Sequence, residues 1–100
     1  MKGNTMAENI LMYRDMPLVR HGNVIYYGYM DKPYIAVLQI VSTKEVQGKT
    51  IADRVAVQLF NTDPAITRMR DKVVKSGEKK GLYNALELGC IWLKRELKEG

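Results

Sequence analysis

The chain has 100 residues, 46% of them apolar and 27% charged, with a formal net charge of +5. That length supports one domain with a single core, and that composition excludes wholesale disorder. Apolar runs fall short of the roughly 18–20 residues that cross a bilayer, MKGNTMAENI lacks the apolar centre of a secretory leader, and the one cysteine makes no internal disulfide. The expectation is a cytoplasmic protein without a membrane partner.

Charge is unevenly spread. Between Arg68 and Lys80, six cations (Arg68, Arg70, Lys72, Lys75, Lys79, Lys80) oppose Asp71 and Glu78, so this window carries +4 of the +5. It reads either as a local anion-binding patch or as a solvated surface.

Residues 1–12 are expected to form a flexible segment ahead of a single domain over 13–100, although Ile10, Leu11 and Met12 suit a short strand or one helical turn. From Pro17 the pattern turns to strand. Leu18-Val19 and Val24 to Met30 flank Arg20-His21-Gly22-Asn23 and predict a hairpin. After a second turn at Met30 to Pro33, Tyr34 to Ser42 is apolar on both faces, which predicts a central or helix-covered strand.

Thr43 to Thr50 reads as a polar connection. Ile51 to Phe60 carries two signals: Ile51, Val55 and Leu59 have helical spacing, whereas the β-branched alternation favours a strand from about Arg54 that pairs with 34–42. Asp63 followed by Pro64 has the form of a helix start. Ile66, Met69, Val73 and Val74 would line a short helix to about Lys75, with an extended 72–75 as the alternative. Ser76 to Gly81 then reads as a break.

Leu82 to Glu99 predicts one long amphipathic helix. At about 100° per residue, Leu82, Leu86, Gly89, Leu93 and Leu97 form a stripe widened by Tyr83, Ala85 and Cys90, opposite Glu87, Lys94, Arg95 and Lys98. Leu88, Ile91 and Trp92 lie outside or at the edge of that stripe. They predict a second buried surface, met either by another element of the chain or by the same helix in a second copy, and are the candidate self-association residues. Strands first and helices last give an α+β domain: an antiparallel sheet of about four strands packed against the long C-terminal helix and a shorter preceding one.

The motifs carry little chemistry. Gly48-Lys49-Thr50 follows a predicted strand, but a phosphate loop needs glycine at position 43, where the chain has Thr43. Cys90 and His21, each single, cannot supply a zinc site of three or four such ligands. A nucleophilic thiol also needs a base and a group to orient it, while Cys90 is expected in the core and His21 in a turn. Neither cofactor nor metal is expected.

Two binding patterns remain. Tyrosines on the first hairpin beside cations resemble stacking platforms for single-stranded nucleic acid, with Arg20, Tyr27, Tyr29, Lys32, Arg68 and Arg70 as candidates; tyrosine equally suits half-buried strand positions. Tyr27 and Tyr29 would share a face, with Tyr26 on the other. Lys75, Ser76, Gly77, Lys79, Lys80 and Gly81 precede the long helix, whose free N–H groups favour an anion; a plain connecting loop is the alternative.

Three stretches, RHGNVIYYGY, IADRVAVQLFNTDP and GLYNALELGCIWLKREL, together resemble a group of small single-domain bacterial proteins over most of 13–98. The resemblance implies no activity, ligand or catalytic residue. The expected function is therefore a small non-enzymatic binding or regulatory module that self-associates. A single-stranded nucleic-acid-binding domain and a small-substrate enzyme with an anion site near 76–81 are the alternatives.

Overall fold

Each strand of this chain folds back on the one before it, through short turns except between Asn61 and Val73, where the connection holds a helical turn. The computed structural model describes residues 10–29 and 31–99. Strands β1 (Ile10–Tyr13), β2 (Met16–His21), β3 (Val24–Tyr27), β4 (Tyr34–Val46), β5 (Lys49–Asn61) and β6 (Val73–Lys80) form one antiparallel meander in chain order. A single helical turn, α1 (Met69–Lys72), precedes β6, and α2 (Leu82–Glu99) follows it. Arg14-Asp15 and Gln47-Gly48 both take positive φ between paired strands, as two-residue hairpin turns that follow the sheet twist require. Among the described residues, no helix is long and apolar enough to cross a membrane.

The register sorts each strand into two faces. Across the sheet, Leu18, Tyr27, Ala36, Leu59 and Lys75 form one row and Ile25, Leu38, Val57 and Gly77 the next, all on the side of α2. Onto these rows α2 lays Ala85, Leu86, Cys90 and Leu93, which completes the buried core. Gly89 permits the approach: a Cβ there would stand 3.3 Å from the Ala36 Cβ and 3.7 Å from the Tyr27 ring. Tyr83, expected in the buried stripe, is 64% exposed and instead meets the Tyr13 ring edge-on at 5.9 Å.

The α+β class and the long helix agree with the sequence. The sheet has six strands instead of about four because two segments read otherwise are strands. Ile10–Met12, assigned to a flexible segment, pair with Pro17–Val19 in β1; residues 1–9 lie outside the described residues, as does Met30. The larger difference is at 63–80. Asp63 does accept an N–H, from Ala65 at 2.9 Å, but it closes only a local turn. Arg68 is extended, one helical turn follows, and from Val73 the chain runs as β6 against β5. The shorter helix is present only as the turn Met69–Lys72, the extended alternative for 72–75 holds from Val73, and the expected break at Ser76–Lys80 is strand, since pairing with a ready β5 edge outweighs a local capping signal.

Thr43 to Thr50 likewise forms no loose connection. β4 and β5 pair all the way from Tyr34–Asn61 to Val46–Lys49 and project as a two-stranded arm beyond the ends of β3 and β6. Residues 51–60 are strand, the alternative favoured by their alternation.

The Gly89 approach yields a test. Gly89→Leu would drive a side chain into Ala36 and Tyr27 and should lower stability by about 1–3 kcal/mol. Urea unfolding measures this, and an unchanged midpoint would mean that α2 does not sit this close to β4.

Candidate functional site

Because side chains alternate along a strand, the face away from α2 is as fixed as the core. Its rows are Val19, Tyr26, Val37, Gln58 and Ser76, then His21, Val24, Gln39, Ala56 and Glu78, with Ile35 beside Phe60 toward α1 and Arg54 beside Lys80 toward the arm. Ile35 is buried on this face, while Val19, Tyr26, Val37 and Phe60 are half-buried, and among the described residues the long helix packs on the opposite side. One end is apolar and the other polar, whereas a sheet face exposed only to water normally carries polar residues throughout.

At the apolar end lies a hollow of about 430 Å³, lined by Tyr26, Ile35, Val37, Phe60, Asn61, Thr62, Met69 and Lys72. Strands β3, β4 and β5 supply its floor. Met69 and Lys72, from α1, form a rim, with Met69 67% exposed. The loop below is held in place by Thr62, whose N–H donates to Pro33 O at 2.9 Å and whose hydroxyl donates to Lys32 O at 2.7 Å. An apolar concavity with a few polar groups and one cation at its edge is the usual form of a ligand site.

A second concavity, about 540 Å³, lies on the α2 side between the start of that helix and the projecting arm. Arg20, Asn23, Thr43, Thr50, Ile51 and Tyr83 are among its walls. The Arg20 Nε donates to Gly22 O at 2.8 Å, so that guanidinium is already partly engaged.

The residues singled out in the sequence do not come together as expected. Within the candidate anion set, β6 places Lys75, Gly77 and Lys79 on the helix side and Ser76 and Lys80 on the other, while Gly81 lines the second concavity. A strand cannot converge on one ion what it sends to two faces. In the nucleic-acid set, Tyr27 is wholly buried under α2 and its hydroxyl donates to Tyr13 O at 2.7 Å, so its ring is not available for stacking. Tyr29 lies past the end of β3 and donates to Asp15 O at 2.8 Å. Arg20 lies on the helix side, Lys32 is exposed in its turn, and Arg68 and Arg70 flank Met69, which rims the hollow.

Of the self-association set, Leu88 and Trp92 pack on β6 within the same chain: a Cβ at Gly77 would meet Trp92 at 3.2 Å and Leu88 at 3.4 Å. Lys75 lies over the Trp92 ring at 6.0 Å and pairs with Glu96 at 3.3 Å. Ile91 alone stays open, at 51% exposure. The second buried surface is therefore another element of the chain.

Cys90 is 3% exposed in the core, whereas His21 is exposed at the end of β2. Sequence reasoning did not single out Phe60 or Met69, and it placed Tyr26 in the tyrosine cluster and Lys72 in the basic window without choosing either as a site residue. The available signal was parity: Tyr26 alternates with Tyr27, so whichever ring is buried presents the other.

Burial pushes the Tyr27 phenol well above its ordinary value of 10.0, helped by a hydrogen bond with the Cys90 side chain. The folded chain then keeps a proton that an unfolded tyrosine loses above about pH 10. Tyr27 thus contributes stability that is complete below that pH and declines as pH rises further. The unfolding midpoint should fall with pH above about 10, and fall less steeply in Tyr27→Phe, which also loses about 1 kcal/mol with its hydrogen bond. Equal slopes in the two proteins would refute the assignment. Comparison of the chain with protein-family models, curated proteins and solved structures returned no match.

Proposed function

We propose that the protein is a small non-enzymatic binding module whose working surface is the helix-free face of its sheet. The observation that carries this reading is the half-buried apolar row Val19–Tyr26–Val37, on the side away from α2, continuing into the hollow beside Phe60 and Met69. Leaving such a face in water forgoes about 25 cal/mol for each Å² of apolar surface, and contiguous apolar surface on a folded domain marks a site of interaction. Catalysis has less support, because the segment 76–81 on which that alternative rested sends its side chains to two faces of the sheet.

Self-association remains part of the proposal. Leu88 and Trp92 are occupied within the chain, so of that set Ile91, 51% exposed, is what is left to meet a second copy. A cytoplasmic location stays an expectation from the sequence.

Two measurements test the reading. An apolar naphthalene-sulfonate dye should bind the native protein and be displaced by Val37→Lys without a change in the cooperative unfolding transition. Dye binding indifferent to that substitution would sink the assignment of this face. Light scattering over a range of concentrations reads the self-association, and a strict monomer throughout removes it.

A further inference from the structure

We infer that the ligand of this face is single-stranded nucleic acid, with an unstacked base seated in the hollow between Tyr26 and Phe60 and its phosphates led along β6. The inference rests on the helix-free face being the working surface and adds what that surface holds.

Three observations favour a nucleic acid over a second copy of the chain. The first is chemical type. Tyr26 and Phe60 present aromatic rings to the hollow, and aromatic rings stack bases regardless of sequence. Gln39 and Gln58 stand in the middle of the same face, where their amides can donate to and accept from base edges. A second sheet packed here would instead bury both amides and the Arg54–Glu78 ion pair, at a desolvation cost that no facing partner of the same sequence relieves by burial alone.

The second observation is charge. Lys72 stands at the rim of the hollow, and the adjoining exposed segment carries Arg68 and Arg70 against the single carboxylate of Asp71. At the far end of the face, Lys80 is paired in register with Arg54, and Glu78 is neutralised by Arg54 at 2.9 Å. The third is direction. On the other side of the hollow, past Asn61 and Thr62, Asp31 and Asp63 border the next depression. Those carboxylates repel a phosphate chain, whereas the route from Lys72 toward Ser76 and Lys80 begins and ends on a cation. Strand β6 along that route, eight residues of extended chain, is about 26 Å long, enough for several nucleotides.

Fluorescence anisotropy with a labelled oligothymidine and a labelled mixed-sequence single-stranded RNA, at low salt, tests this. Binding should be saturable. It should weaken about tenfold or more in Tyr26→Ala and survive in Tyr26→Phe. Met69→Glu, at a position exposed enough to leave folding unaffected, should weaken it by a similar factor. Lys72→Gln should make the dependence of log affinity on log salt shallower by about 0.7, while Lys94→Gln on the solvent side of α2 should change neither quantity.

No anisotropy change at low salt would overturn the inference, as would equal losses in Lys72→Gln and Lys94→Gln, which would indicate diffuse charge attraction. Duplex binding as tight as single-strand binding would also overturn it. A dimer broken by Val37→Lys together with no oligonucleotide binding would reassign the face to a second copy. That outcome removes the nucleic acid and leaves the working surface, whereas failure of the dye test removes the surface itself.

Discussion

Everything in this fold depends on how closely α2 approaches β4. Gly89 lets the helix backbone come down on Ala36, with the Tyr27 ring alongside. From that contact Leu86 and Leu93 reach the apolar floor made by Leu38, Val57 and Leu59. A larger residue at either position would lift the helix and open voids on both sides, because cores are packed to near crystal density. The same approach sets where Trp92 falls, over Gly77 on the edge strand β6. One close contact thus organises the core and also covers the strand that the sequence did not announce.

A single helix is too narrow to cover six strands, whose width is roughly five spacings of 4.8 Å. The first two strands are reached in another way. Tyr13 stands edge-on between the Tyr27 and Tyr83 rings, and its hydroxyl, with Arg14 Nε, donates to Glu87 on α2. Aromatic contacts and one shared carboxylate tie the first hairpin to the helix where aliphatic packing gives out. The opposite face has no such device among the described residues. The fold therefore has a sealed side that holds it together and a more open side whose apolar end is edged by the single turn α1.

The two faces also explain why the basic segment is less concentrated in space than in sequence. As a loop, Lys75 to Lys80 could gather around one anion. As a strand it sends successive side chains to opposite sides, and Lys75 is drawn into contacts with Trp92 and Glu96. What remains beside the hollow is Lys72 with its arginine neighbours, a smaller cationic group placed against apolar surface.

Sequence alone determined the elements with strong local periodicity: the helix from Leu82, the strand from Tyr34 that is apolar on both faces, and the hairpin around Gly22-Asn23. Each is written in residues close along the chain, so no distant partner was needed to read it. Tertiary structure decided the rest. Whether 73–80 pairs as a strand depends on the edge that β5 offers, and whether Tyr26 or Tyr27 faces solvent depends on which side α2 chooses. Alternation with a period of two marks two faces but not which of them is inside. That choice belongs to the packing of the helix, and with it went the location of the candidate site.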